Sequence, residues 1–167
     1  MTSSDLEMLH TAVEFLLSRK ILSETIERLS DAINHSQEPF VWSVIDLSHL
    51  ESKLPENIQS CWVFVLKKDI PSGCHYHPNS IQHMVTIKGQ GMSKVAGEYN
   101  RLIQFDSSDD SVADKWLVID KGVPHEFFPE KEDMVVVSLH TCEATELEEV
   151  SCATGEKRLY EDNSDKA

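Results

Sequence analysis

Histidine is concentrated in one short stretch of the chain, GCHYHPNSIQHM, residues 73 to 84. His75 and His77 stand two apart, and Gln82 and His83 follow side by side. In a β-strand, residues two apart point to the same face and lie about 6 to 7 Å from each other. Two imidazoles placed in this way can converge on one metal ion, which lies about 2 Å from each ring nitrogen. The pattern therefore predicts a metal site whose remaining ligands come from elsewhere in the chain.

A third histidine follows a turn much later in the sequence. In DKGVPHEFF, residues 120 to 128, His125 comes after Gly122 and Pro124, which favour a tight turn before a strand. We expect this strand to bring His125 to the first two histidines. An HxH pair together with a distant histidine indicates a metal site more specifically than a single histidine does. The alternative is a β-barrel that has lost its metal. The other histidines lack ligand-like spacing and are expected to be incidental: His10, His35, His49 and His140.

These two stretches resemble the two motifs of the cupin superfamily. The first motif combines an HxH pair, a glutamate and a closing glycine, and the second combines a PxG turn, a histidine and an asparagine. Gln82 stands at the glutamate position of the first motif. The residues that match the family pattern directly are His75, His77, Gly89, Gly122 and His125. The resemblance covers roughly residues 40 to 150, and it implies a double-stranded β-helix (jelly-roll) barrel with a metal ion held by His75, His77, Gln82 and His125.

The second motif departs from the family at three positions. Asp114, Asp120 and Pro129 stand where the family has its first glycine, its proline and its asparagine, and the glycine that opens the first motif is shifted or missing. Because these positions serve turns and packing, the departures weaken the family match more than the metal hypothesis.

Which member of the adjacent pair faces the metal depends on the register of the strand. If the strand is regular, His83 points away from Gln82, into the layer of Val85 and Ile87, and packs there. A β-bulge near PNSI would exchange the two side chains. The spacing from Gln82 to Gly89 favours Gln82 as the fourth ligand, with His83 as the alternative.

A glutamine ligand changes the electrostatics of the predicted site. Three neutral imidazoles and an amide leave the charge of a divalent ion uncompensated, so the ion should attract an anionic or chelating ligand or acidify its water. Such ligands suit Fe, Ni, Mn, Cu or Zn, and ligand type alone does not choose among these metals.

The leading functional hypothesis is a mononuclear metal enzyme that acts on a small molecule. Cupins with three-histidine sites include dioxygenases, so the resemblance implies a dioxygenase-type oxidoreductase. The alternatives are a non-oxidative isomerase or lyase, and a non-enzymatic cupin that binds or senses a small ligand. We assign no catalytic residue; Tyr76, Tyr99 and Trp116 are candidates to line the cavity, with packing as the alternative role.

The elements that must position these residues follow from hydrophobic periodicity. Residues 1–35 carry apolar side chains at helical spacing and predict two amphipathic helices. Residues 36–154 form the predicted barrel, with β-rich runs at 40 to 47, 61 to 68, 83 to 89, 115 to 120 and 134 to 140. In the last run, Met134 to Val137 lack polar alternation, which predicts burial of both faces, one of them under the N-terminal helices or a partner subunit. Residues 155–167 are expected to form an acidic, loose tail.

The formal net charge of −14 opposes binding to nucleic acid or to an anionic membrane, because both carry negative charge. Asp5 and Glu7 stand where a secretory signal would carry basic residues, which predicts a cytoplasmic location. The four cysteines form no CxxC pair, and reduced thiols with structural roles are expected. We expect the chain to form a homodimer. We also expect it to bind a small-molecule ligand or substrate.

Overall fold

Two helices open the chain, as the sequence predicts. The computed structural model describes residues 1–50 and 53–160, in which α1 spans Ser3–Leu17 and α2 spans Lys20–His35. Thr2 precedes α1, and its side-chain oxygen accepts a hydrogen bond from the Asp5 backbone N–H at 3.1 Å. The Asp5 carboxylate accepts one from the Thr2 backbone N–H at 2.9 Å, which completes a capping box.

Strands dominate the rest of the described chain. They are β1 (Phe40–Ile45), β2 (Ser60–Leu66), β3 (His75–Tyr76), β4 (Gln82–Lys88), β5 (Gly91–Val95), β6 (Glu98–Arg101), β7 (Trp116–Ile119), β8 (His125–Pro129), β9 (Met134–His140), β10 (Glu148–Ser151) and β11 (Lys157–Leu159). A short helix, α3 (Val112–Lys115), precedes β7, and 3₁₀ turns lie at Leu47–Leu50 and Ala144–Glu146.

The strands form two sheets whose neighbouring strands pair antiparallel. Sheet A has the order β1-β2-β9-β4-β7, and sheet B has the order β11-β10-β3-β8-β5-β6. The strands of sheet A coincide with the five runs predicted from the sequence. Every residue of β2 and β9 is buried, which explains why these runs are apolar without alternation.

The N-terminal helices cover the outer face of sheet A. They and the sheet share one apolar core, whose fully or nearly fully buried members include Leu9, Val13, Leu16, Leu29, Ile33, Val63, Val65, Val85, Val137 and Leu139. Of the two covers predicted for the run 134 to 140, the structure therefore provides the helices.

The inner face of sheet A packs against sheet B. Phe127 from β8 joins Trp62, Phe64, Met84 and other residues of sheet A in a second apolar cluster, which fills the interior between the sheets. Two packed antiparallel sheets with this interior are typical of a jelly roll. The prediction of a mainly β, jelly-roll fold with N-terminal helices is confirmed.

The C-terminal segment differs from the predicted loose tail. Lys157–Leu159 form β11, which pairs with β10, and Tyr160 is only 2% exposed. The rings of Trp42, Trp62 and Phe64 lie 4.9 to 5.9 Å from that of Tyr160. Burial of this one aromatic residue anchors a segment that is otherwise polar; the rest of the predicted tail, 161–167, lies outside the described residues.

The prediction of reduced thiols is wrong for two of the cysteines. Cys74 and Cys152 form a disulfide with their Cα atoms 5.4 Å apart, whereas Cys61 and Cys142 are free and buried. The pair is 78 residues apart in sequence, so only the pairing of β3 with β10 brings it together. Among the described helices, none combines the length and the apolar character that crossing a membrane requires.

Candidate metal centre

The structure brings together the three histidines that the sequence analysis selected. His75 lies in β3 and pairs directly with His125 of β8, while His77 follows β3. The ring centroids lie 4.4 Å apart for His75 and His125, 5.3 Å for His75 and His77, and 5.3 Å for His77 and His125. One nitrogen from each ring lies within 4.8 Å of the others. Three imidazoles at these separations can share one ion.

Backbone carbonyl groups fix the orientation of each ring. His75 Nδ1 lies 3.1 Å from Gly73 O, His77 Nδ1 lies 2.8 Å from Glu148 O, and His125 Nδ1 lies 2.9 Å from Val123 O. A carbonyl oxygen only accepts hydrogen bonds, so Nδ1 carries the proton in each ring. Each neutral ring therefore keeps the lone pair on Nε2 for a ligand, as metal-binding histidines do.

Burial keeps the three rings neutral. Loss of hydration, together with the proximity of the other histidines, lowers the pKa of His75 and His77 to about 3. Burial lowers the pKa of His125 to about 4, and the hydrogen bond with the Val123 backbone opposes this change. Neutral imidazole is the form that binds a metal, so these side chains need no deprotonation to do so at neutral pH.

Gln82 and His83 point to opposite faces of sheet A. Gln82 lines the interior cavity beside His75 and His77, and its Nε2 donates to Ser138 Oγ at 3.1 Å. His83 is 1% exposed, and its Nδ1 lies 3.1 Å from Leu139 O. The register is regular through both residues, and the irregularity in β4 falls later, between Thr86 and Lys88. The orientation of this pair is the one predicted for a regular strand.

Gly89 closes the same strand in a conformation that requires glycine. Its φ is +84°, and a Cβ atom at this position would lie 2.7 Å from Asp133 O. The positive φ and the close approach of the backbone explain why this motif position holds glycine.

His140, for which the sequence predicts no role, lies inside the barrel. It pairs across the strands with Gln82, and its ring centroid lies 5.3 Å from that of His77. Its Nδ1 is hydrogen-bonded with Ser80 Oγ at 2.9 Å. His140 ends an apolar run and has no spacing signal, so only the strand pairing reveals it.

Glu149 is a second residue that sequence reasoning missed. It is 9% exposed, and its Oε2 lies 3.9 Å from His75 Nε2. Its other oxygen, Oε1, accepts a hydrogen bond from Arg158 Nε at 2.9 Å. The guanidinium of Arg158 in turn lies over the rings of Phe40, Trp42 and Tyr160, at 5.3 to 5.4 Å from their centroids. Its position in the acidic segment LEEV gave no indication that this carboxylate faces the barrel interior.

The cavity beside the histidines is small and mainly apolar. Its volume of about 20 Å³ has room for about one water molecule. It is lined by Phe40, Phe64, Leu66, Ser72, His75, His77, Gln82, Met84, Phe127, Val136 and Tyr160. The three aromatic residues proposed from sequence lie elsewhere: Tyr99 is 59% exposed, Tyr76 does not line the cavity, and Trp116 donates from Nε1 to His10 Nδ1 at 3.3 Å.

Unpaired polar atoms surround the histidine cluster. Within the described part of the chain, the buried side-chain atoms without a hydrogen-bond partner are Gln82 Oε1, His125 Nε2, His140 Nε2 and Glu149 Oε2. Leaving such an atom unpaired costs about 1 to 3 kcal/mol. Gln82 Oε1, His125 Nε2 and Glu149 Oε2 are atom types that bind transition metals, so the residues present fit a metal ion.

Solved structures resemble this chain at low sequence identity. No family model and no curated protein matches it. KdgF from Halomonas sp. is 14% identical over 61% of this chain and 77% of that chain, with a TM-score of 0.46. An oxalate oxidase in complex with glycolate is 12% identical over 64% of this chain and 52% of that chain, with a TM-score of 0.46. The cupin domain of Schizosaccharomyces pombe Cnp3 is 11% identical over 62% of this chain and 65% of that chain, with a TM-score of 0.46.

Identities this low carry no residue role from these proteins to this chain. The two facing sheets form a jelly-roll fold, and they bring three histidines together. The cluster is compatible with binding of a transition metal, and its own chemistry is the basis for the function considered next.

Proposed function

We propose that this chain is a mononuclear metal-binding cupin and an enzyme that acts on a small molecule, as a dioxygenase-type oxidoreductase. His75, His77 and His125 would hold the metal through Nε2, and Gln82 would add its amide oxygen. The observation that carries the proposal is the hydrogen bond from each Nδ1 to a backbone carbonyl, which leaves Nε2 of each ring free to bind a metal in a cluster whose ligand atoms lie within 4.8 Å of one another.

The proposed metal is Fe, Ni, Mn, Cu or Zn, and when bound it would supply Lewis acidity and, for the redox-active members, electron transfer. The chain itself contributes orientation and a dry environment. Phe64, Phe127 and Val136 keep water from the interior, which strengthens electrostatic interactions there. The small cavity favours a small substrate, or one that displaces the side chains of Phe40 and Tyr160.

Metal binding can be tested by elemental analysis of protein purified without added metal and then reconstituted with each candidate ion. Wild type should retain about one ion per chain. His75→Ala and His125→Ala should each lower the metal affinity at least 100-fold, because loss of a ligand should weaken binding at least as much as loss of a group that is hydrogen-bonded to a ligand. His35→Ala is the matched control, because His35 is exposed at the end of α2. If wild type and the three variants retained the same amount of metal, the ligand assignment would be wrong. If wild type bound no metal, the proposed site would be wrong.

The reaction class needs a separate experiment. Oxygen consumption with small carboxylates, thiols and diketones, together with product analysis, tests the dioxygenase proposal. Conversion of a substrate without oxygen uptake would replace it with an isomerase or lyase. Reversible ligand binding without any product would instead support a sensor.

The remaining proposals concern partners and location. The charge of −14 supports a protein that binds neither nucleic acid nor an anionic membrane. A homodimer stays a prediction, which light scattering at several concentrations checks. A cytoplasmic location also stays a prediction. The disulfide between Cys74 and Cys152 is unusual for that compartment, and alkylation of thiols in intact cells tests whether these two cysteines are reduced there.

A further inference from the structure

We infer that Glu149, from β10, is a carboxylate ligand of the same ion, and that it supplies the negative charge that Gln82 does not. This inference rests on the proposed metal site. It differs from the sequence-based ligand set because the acidic ligand comes from another strand, near the end of the described chain.

The strand register places Glu149 on the correct face of sheet B. Ser151 pairs directly with His75 across β10 and β3, so these two side chains share a face. Glu149 stands two residues before Ser151 and therefore lies on that same face, next to the histidines. The register agrees with the measured separation of 3.9 Å between Glu149 Oε2 and His75 Nε2.

The chemistry of this contact favours a cation between His75 Nε2 and Glu149 Oε2. His75 Nδ1 donates its proton to Gly73 O, so Nε2 presents a lone pair to Glu149 Oε2, which is also an acceptor. Two buried acceptors that face each other without a donor repel, and Oε2 has no hydrogen-bond partner. Two ligands of one ion, each about 2.1 Å from it, stand at most about 4.2 Å apart, so a single ion can contact His75 Nε2 and Glu149 Oε2. Glu149 lies outside the group of histidine nitrogens that are within 4.8 Å of one another, so its side chain must move toward them to share the ion with all three.

Arg158 holds the carboxylate without occupying the oxygen that faces the histidines. Its Nε binds Oε1, and its guanidinium is fixed over three aromatic rings. Glu149 thus lies between Arg158 and the metal position, with one oxygen for each. Arg158 is a positioning residue in this arrangement, because it acts on the ion only through Glu149.

The experiment measures the dissociation constant for Zn²⁺ and Co²⁺ by competition with a chromophoric chelator. Glu149→Gln should weaken both ions about 10- to 100-fold and should change the visible absorption spectrum of bound Co²⁺. Glu126→Gln is the matched control, since it removes the same charge one residue from His125 but lies on the outer face of β8, opposite Lys94. This control should bind both ions within about 3-fold of wild type, because its half-buried carboxylate lies on the face of β8 opposite to the histidines.

Arg158→Gln separates ligation from a structural ion pair. It breaks the pair with Glu149 but keeps the carboxylate, so it should weaken Zn²⁺ binding less than Glu149→Gln does. Equal loss in these two variants, or no loss in Glu149→Gln, would overturn the assignment of Glu149 while wild-type binding and its loss in His75→Ala still supported the three-histidine site. If wild type and His75→Ala both failed to bind, the metal site and this inference would fall together. Thermal unfolding of each metal-free variant verifies that the fold is retained.

Discussion

Sheet A of this barrel contributes mainly to the apolar core, whereas sheet B carries most of the proposed metal ligands. At the centre of sheet A, β2 and β9 are seven residues long and buried along their whole length, with one face toward the helices and the other toward the barrel interior. Sheet B is built from shorter strands, and it carries His75, His125 and Glu149. Sheet A contributes Gln82 to the proposed ligand set, and its His140 lies beside His77.

The largest effect is expected where sheet A meets the helices. Leu139→Ala should lower the free energy of unfolding by about 2 to 5 kcal/mol, because Leu139 is 0% exposed and its removal leaves a cavity. Chemical denaturation measures this change. Leu159→Ala in β11 is the control from sheet B; Leu159 is 54% exposed, and the substitution should cost less than about 0.5 kcal/mol. Similar costs at the two positions would contradict the division between the sheets.

The second effect comes from the buried histidines. Because burial lowers the pKa of His75, His77 and His125 below the value of 6.5 for an exposed histidine, the unfolded chain takes up protons first as pH falls. Stability of the metal-free protein is therefore complete above pH 6.5 and is lost as pH falls through 6.5 toward 4. From pH 7 to 5.5 the loss should be roughly 1 kcal/mol for each histidine, measured by urea unfolding.

Two observations check the source of this pH dependence. Burial raises the pKa of Glu149, which opposes the trend, whereas burial also lowers the pKa of His140, which adds to it. His125→Gln should show a smaller loss than wild type between pH 7 and 5.5, by about the share of one histidine. An unchanged slope would show that other groups cause the loss.

The third effect tests the link between β3 and β10. The double variant Cys74→Ser, Cys152→Ser should unfold with about 2 kcal/mol less free energy than oxidised wild type, because the disulfide restricts the unfolded chain. A reductant should lower the stability of wild type by a similar amount and leave the double variant unchanged. Titration of four thiols in untreated wild type would show that the disulfide is not formed.

The smallest effect distinguishes the two faces of β4. Gln82→Ala should weaken binding of Zn²⁺ about 10-fold, whereas His83→Ala should change it less than about 3-fold, since His83 points toward the helices. His83→Ala should instead lower stability by about 1 to 3 kcal/mol, because it removes a buried ring and its hydrogen bond to Leu139 O. The reverse ranking in metal affinity would place His83 in the site.

The sequence by itself determined the helices, the five strands of sheet A and the grouping of His75, His77 and His125. The helices, the strands and the His75–His77 pair depend on periodicity and on spacing within single elements, whereas His125 is assigned from its turn and from its match to the second motif. Only the tertiary structure decided that His140 and Glu149 face the barrel interior, that Cys74 meets Cys152, and that Tyr160 anchors β11. Each of these contacts joins strands distant in sequence, and short polar strands carry no local pattern that reveals which strand they pair with or which face they bury.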